Sequence, residues 1–355
     1  MAATTPGGSP GGGPTGLGRL GRVSEIPVVQ AGFDSLGPSV STMPVGSGRT
    51  VRYIDEGDAA WPALVFFGGA GTTVRAFRLL EFARTLREQL RVRVLSVERN
   101  GLGQTPFDPA VGLAEHAADV WSLLERRGVE KASLIAISGG GPYAARVAFE
   151  HPARVRSLHI ACAISERLGE LPATDLLESV IADPVGWWTY PPESEVHRIP
   201  GFADSVLEEA TREGYARGVG GSADGLRQAF ELYGSAAMPD LSAVLAPAFL
   251  YWGSDDRSVP LEHLERWRAA LGNVREVRVY EGEGHDTQYR HWDQILTDVA
   301  FLGERTIVCH DGRAVLAEPE RAAELLRRGA TLGLCGWSDP APLAMTSAPE
   351  AGPTP

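Results

Sequence analysis

The segment Lys131 to Ala148, KASLIAISGGGPYAARVA, constrains the chain more than any other. An apolar run, Leu134 to Ile137, stops at Ser138. Three glycines, Gly139 to Gly141, follow at once, and then a helix-compatible stretch. The pattern predicts a strand, a sharp turn and a helix, with a serine at the apex. A hydroxyl mounted there projects above a sheet edge, and its small neighbours leave room for a substrate. It also stands at a helix N-terminus, where free N–H groups stabilise negative charge. Three readings are weighed for this segment alone. One is an acyl-transfer nucleophile. The second is a glycine-rich helix start that only packs closely. The third is a phosphate loop, and here the spacing fails. There is no Gly-x-x-x-x-Gly-Lys-Ser/Thr pattern, and the glycines do not match a dinucleotide turn.

The rest of the chain narrows the choice. Strand-like segments are expected at Thr50–Asp55, Ala63–Phe67, Val92–Val97, Ala132–Ile137, Val155–Ala161, Ala248–Trp252 and Arg275–Tyr280. Helical periodicity falls at Val74–Gln89, Leu113–Arg127, Pro142–Glu150, Leu261–Leu271 and His291–Leu302. The alternation implies a mostly parallel, doubly wound α/β sheet with helices on its faces. It breaks over 164–245. That stretch holds Trp187, Trp188, Tyr190 and Phe202, then helix-like segments at Ala203–Arg217 and Ala223–Tyr233. It is too long for a connecting loop, so an inserted helical cap is expected. Its aromatics either line a substrate pocket or anchor the cap.

A nucleophilic serine needs a base and a group that orients the base. Two later loops supply both. Asp256 follows the strand Ala248–Trp252, with Asp255 beside it, and Glu166 is a further candidate acid. His285 sits in Glu281-Gly282-Glu283-Gly284-His285 after the strand Arg275–Tyr280. Among the eight histidines it alone lies in a glycine loop beyond a late strand. His159 is expected to pack within a strand, and His116, His263 and His291 to be solvated on helices. The oxyanion of an acyl-transfer reaction needs N–H donors. Gly139 follows the serine directly. The loop Phe67-Gly68-Gly69-Ala70-Gly71-Thr72 offers Gly69, with Gly68 and Ala70 as alternatives.

These pieces resemble the α/β-hydrolase superfamily over about Val51 to Leu302. The elbow Ala136-Ile137-Ser138-Gly139-Gly140 is similar to Gly-x-Ser-x-Gly. Glu98-Arg99-Asn100-Gly101-Leu102-Gly103-Gln104-Thr105 resembles the Asp-x-Arg-Gly-x-Gly-x-Ser loop, and Gly253 to Pro260 resembles Gly-x-x-Asp-x-x-Val-Pro. The resemblance implies Ser138 as nucleophile, Asp256 as orienting acid, and His285 as general base and then acid. Gly69 and Gly139 would form the oxyanion hole. Two departures stand out. Alanine replaces the first elbow glycine, and Phe67 stands where a histidine often braces the oxyanion loop. A serine nucleophile sets the chain apart from the branches that use a carboxylate.

The implied function is a serine hydrolase for a small ester, lactone, thioester or amide. A non-hydrolytic cyclase, lyase or isomerase of the same fold is the alternative. Such chemistry needs no cofactor and no metal. The formal charge of -12 argues against nucleic-acid or anionic-membrane binding. The expected partner is a small-molecule substrate, and the oligomeric state stays open. No apolar run reaches the length of a membrane span, and MAATTPGGSPGGGPTG lacks the apolar core of a secretory signal. A cytoplasmic protein is expected. The organisation reads as a Gly/Pro-rich tail (1–22), a core (23–163 and 246–303), a cap (164–245), a small C-terminal module (304–338) and a second tail (339–355). Both tails are expected to be disordered. In the module, Cys309, His310 and Cys335 leave three readings open: a metal site, a cysteine pair, or plain packing. A cytosolic setting disfavours a standing disulfide.

Overall fold

The computed structural model describes residues 26–27, 39–46, 48–74, 83–167, 174–183, 194–199, 222–235 and 237–337. Several expectations lie outside these residues. They are the two tails, the helix at 203–217, the first part of the helix from Val74, and the aromatics Trp187, Trp188, Tyr190 and Phe202.

The main sheet has eight strands: β2 (Ser41–Pro44), β3 (Thr50–Glu56), β4 (Ala63–Phe67), β5 (Arg93–Val97), β6 (Ala132–Ile137), β7 (Val155–Ala161), β8 (Ala248–Gly253) and β9 (Val274–Tyr280). Their order is β2-β3-β5-β4-β6-β7-β8-β9. From β5 to β9 every pairing is parallel, while β2 and β3 join antiparallel. The β6 register places Phe67 beside Ala136 on one side and Ile160 on the other. This brings the ends of β4, β6 and β7 together at one edge. The sheet is mostly parallel, as the alternation implies.

The period-two pattern explains why β6 is central. Leu134 and Ala136 belong to one apolar cluster, while Ile135 and Ile137 belong to the other. A strand that is apolar on both sides needs a helix layer on each face. On one face these are α2 (Leu113–Arg126), α3 (Gly141–Glu150) and α6 (Leu261–Ala270), which contribute Trp121, Tyr143, Leu264 and Trp267. On the other face are α1 (Arg84–Gln89) and α8 (Trp292–Phe301), with Leu86, Trp292 and Ile295. The short α7 (Thr287–Arg290) leads into α8. Within 164–245 the described elements are α4 (Thr174–Ala182), a 3-10 turn at Glu195–Arg198, and α5 (Asp224–Ser235). Periodicity anticipates α5 but not α4.

A second sheet, ordered β1-β11-β10-β12, comprises β1 (Ile26–Pro27), β10 (Thr306–His310), β11 (Arg313–Ala317) and β12 (Thr331–Leu332). The helix α9 (Pro319–Arg327) connects β11 to β12. Hairpin, helix and return strand follow one another along the chain, and β1 pairs with β11. A two-residue strand carries no period, so residue order does not reveal that pairing. The unit also packs on the main sheet's helix layer. Ile307, Leu316, Leu334 and Trp337 share the apolar cluster of α8, and Leu334 N–H donates to the buried Asp293 carboxylate at 2.5 Å. Cys309 and Cys335 form a disulfide. His310 faces Asp311 instead, at 3.5 Å.

The expectation that His116, His263 and His291 are solvated is corrected: all three are buried. His116 and His263 lie on the inward faces of helices and His291 at the junction of α7 and α8, a distinction that residue type does not reveal. His291 lies flat on Tyr280, their ring centroids 3.6 Å apart, and its Nε2 meets Glu283 at 2.8 Å. Burial pushes the imidazoles of His116 and His159 from 6.5 down to about 3. Both are therefore neutral when folded and take up a proton on unfolding below about 6.5. The unfolded state then binds more protons, so stability falls as pH drops from 6.5 toward 3. Each histidine adds a slope of about 1.4 kcal/mol per pH unit in that window. His159→Asn is expected to remove about that much slope from urea-unfolding free energies measured between pH 4 and 6, and an unchanged slope would contradict the assignment.

Candidate active site

Ser138 terminates β6 with φ of 51°, the left-handed region that residues with a Cβ avoid. Such a conformation persists only when its surroundings over-determine it. Here both sides of the residue are held. Ser138 N–H donates to Cys162 O at 3.1 Å, and Ser138 O accepts from Ile164 N–H at 2.9 Å. The chain then enters a 3-10 turn, Ser138–Gly140, and runs straight into α3. The turn packs so tightly that a Cβ on Gly140 would lie 2.2 Å from Phe67 O. Ala136, in place of the usual glycine, is fully buried inside β6.

The other two loops reach this apex. Asp256 follows β8 and is buried, while Asp255 is exposed. One Asp256 oxygen accepts from the N–H groups of Ser258 at 2.9 Å and Val259 at 2.8 Å. Its second oxygen lies 2.8 Å from His285 Nδ1, and His285 Nε2 lies 3.0 Å from Ser138 Oγ. A carboxylate only accepts, so Nδ1 carries the ring proton and Nε2 is left to accept from the serine hydroxyl. The Asp256 and His285 loops are tied to each other by Ser254 N–H to Tyr280 O and Asp255 N–H to Glu283 O, both 2.9 Å. Glu166 is not part of this chain of contacts. It faces Arg266 at 3.4 Å and Met238 N–H at 3.4 Å.

Cys162 lies beside the site. Its thiol, an Asp256 oxygen and a His285 nitrogen all fall within 4.8 Å of one another. Burial and then the Asp256 charge raise the thiol pKa well above its usual value. The thiol stays protonated, and the carboxylate and imidazole already bond to each other. The trio fits a hydrogen-bonded site with a packed cysteine better than a metal cage, whose sulfur ligand must be a thiolate.

The loop after β4 passes over the serine. A Cβ on Gly69 would lie 3.3 Å from Ser138 Cβ and 3.6 Å from its Oγ. Thus Ser138, Asp256, His285, Gly69 and Gly139, drawn from four loops, converge on one place. What braces the Gly69 loop is a residue that the sequence reading overlooked. The Arg99 guanidinium, buried after β5, donates to Gly69 O, to Thr72 O at 3.1 Å and to Thr72 Oγ1 at 3.0 Å. Thr72 Oγ1 in turn donates to Gly69 O at 2.7 Å. Arg99 does the bracing that a histidine at position 67 would do, while the Phe67 ring packs edge-on toward His116 at 6.4 Å. The only signal in the sequence was an arginine inside a glycine-rich turn, which ordinarily reads as solvated.

A family model described as the alpha/beta hydrolase fold matches residues 62–291, and the chain belongs to that family. The fold is similar to that of an alpha/beta hydrolase fold protein from Nakamurella multipartita, at 22% identity and a TM-score of 0.58, covering 74% of this chain and 98% of that one. An enol-lactonase from Burkholderia xenovorans is similar at 18% identity and a TM-score of 0.59, with 74% and 99% covered. An esterase from Rhodococcus matches at 17% identity and a TM-score of 0.57, with 74% and 98% covered.

The tight seat of Gly140 yields a test. Gly140→Ala is expected to displace the turn and to destabilise the fold by about 1–3 kcal/mol. Gly46→Ala, where nothing lies within 4 Å of the new Cβ, is expected to match wild type in the same thermal unfolding measurement.

Proposed function

We propose that this protein is a serine hydrolase acting on a small ester, lactone, thioester or amide through an acyl-enzyme. The observation that carries the reading is the continuous chain from Ser138 Oγ through the His285 ring to Asp256, at 3.0 and 2.8 Å. Nucleophile, base and orienting acid stand within hydrogen-bond reach in one line, as nucleophilic catalysis requires. The family membership and the esterase and enol-lactonase among its structural neighbours support the same chemistry.

In this reading His285 Nε2 takes the Ser138 proton as Oγ attacks the substrate carbonyl. The buried Asp256 carboxylate stabilises the imidazolium that forms. The N–H groups of Gly139 and Gly69 hold the oxyanion. His285 then returns the proton to the leaving oxygen, sulfur or nitrogen, leaving an acyl group on Ser138. Water, activated by the same imidazole, attacks that acyl group, and acid and free serine result. No step uses a cofactor or a metal.

Residues 164–245 are proposed as the cap that selects the substrate. Three contacts support this. Ser194 donates to Asp286, next to His285; Gln228 accepts from Asn100 at 2.7 Å; and Tyr233 accepts from Arg99 at 3.2 Å. All join described parts of that stretch to the loops around the serine. The remaining ranges are proposed as in the sequence reading, with 304–338 as a C-terminal module.

Among the described residues no helix is long and apolar enough to cross a membrane. A cytoplasmic location remains our proposal, and the Cys309–Cys335 bond bears on it, because cytosolic glutathione keeps most thiols reduced. Thiol counting on protein quenched in the cell tests this: three free thiols are expected for a cytoplasmic protein, one for a protein matured in an oxidising compartment.

For the activity itself, a fluorophosphonate probe is expected to label wild type at Ser138 and to leave Ser138→Ala unlabelled. Turnover of p-nitrophenyl acetate is expected to fall by about 10⁴-fold or more in that variant. Labelling that persists in Ser138→Ala would overturn the assignment.

A further inference from the structure

We propose that the Tyr233 hydroxyl is a third hydrogen-bond donor to the oxyanion, delivered by helix α5 and held in place by Arg99. The proposal rests on the serine-hydrolase reading above and adds a catalytic residue to it.

The first observation is position. A Cβ on Gly139 would lie 2.5 Å from the Tyr233 hydroxyl oxygen and 3.0 Å from Ala70 N. The phenol therefore fills the space that a side chain at position 139 would occupy, directly beside the residue that follows the serine. The loop that covers the serine meets it at the same point. The Gly69 carbonyl is engaged by Arg99 and Thr72. The hydroxyl thus adjoins Gly139, one of the two proposed donors, and Ala70, the neighbour of the other in the loop over the serine.

The second observation is hydrogen-bond accounting. Tyr233 is 6% exposed. Its oxygen accepts from Arg99 Nη1 at 3.2 Å. Its own O–H has no acceptor among the described residues, although a buried donor without one is costly. The missing acceptor is supplied when a carbonyl oxygen becomes negative in front of it. Burial raises the phenol pKa, outweighing the opposing Arg99 charge, so the group keeps the proton that it must donate.

The third observation is rigidity. A donor stabilises a transition state well only if it needs no rearrangement. Helix α5 meets the loop after β5 at backbone contact: a Cβ on Gly101 would lie 2.7 Å from Gly225 Cα. The Asn100 side chain donates to Gln228 at 2.7 Å on the next turn. The Tyr233 ring packs against Phe230, centroids 5.7 Å apart. The Arg99 guanidinium that fixes the Gly69 carbonyl also fixes the Tyr233 oxygen, so one cation sets both.

The test compares wild type, Tyr233→Phe and Ser138→Ala. It measures p-nitrophenyl acetate turnover per active site, titrated with the fluorophosphonate, and inhibition by a trifluoromethyl ketone, which forms a tetrahedral adduct on the serine. Losing one oxyanion donor typically costs about 10²–10³ in kcat. For Tyr233→Phe a fall in kcat of about tenfold to a hundredfold is expected, with KM within about threefold and ketone affinity falling in parallel. A packing role would lower only the number of titratable sites, leaving kcat per site and ketone affinity at wild-type values. That result would overturn the proposal and leave the serine reading standing. Wild-type protein that is neither labelled at Ser138 nor active would overturn both.

Discussion

The structure around the site depends on one constrained residue. Ser138 holds φ of 51° at the end of β6, and that conformation lifts its hydroxyl off the sheet edge instead of into a face. The conformation costs energy for a residue with a side chain, on the order of 1–3 kcal/mol. It is met by hydrogen bonds on both sides, to Cys162 and Ile164, and by the close seat of Gly140 against Phe67. Those partners stand on the ends of β7 and β4. The turn therefore exists only because β6 lies between these two strands, fully buried on both faces.

From that apex the remaining geometry follows by adjacency. Parallel strands place their following loops at one edge, so the loops after β4, β6, β8 and β9 meet. Asp256 is useful there because two backbone N–H groups hold one of its oxygens and free the other for His285. Arg99 plays a comparable part for the loop over the serine. An arginine fork can satisfy several carbonyls at once, which is how a single buried cation engages Gly69, Thr72 and Tyr233. The absent histidine at position 67 thus leaves the loop braced from a different strand.

Much of this was legible in residue order. Ala63–Phe67, Ala132–Ile137 and Val155–Ala161 match the observed strands residue for residue, because mostly apolar runs bounded by turn formers leave little choice of limits. The serine, aspartate and histidine were legible because each stands in a loop directly after a predicted strand. Arg99, Tyr233 and the buried His116, His263 and His291 were not. Their environment is made by elements far away in sequence: Arg99 and Tyr233 are 134 residues apart. The pairing of β1 with β11 was hidden because a two-residue strand carries no period, and the extent to which β10, β11 and the segment around Trp337 share the core of α8 was hidden by distance along the chain.

The sequence by itself determined the alternation of strand and helix, the serine at a strand-to-helix turn, and the order in which the aspartate and histidine follow it. Those features are local, set by side-chain periodicity and by where glycine interrupts it. Only the tertiary structure decided that the four loops meet within hydrogen-bond reach, that a buried arginine holds the loop over the serine, and that a tyrosine from 164–245 stands beside Gly139. Distances between loops depend on strand order and register, and both arise from burying two faces of one sheet at the same time.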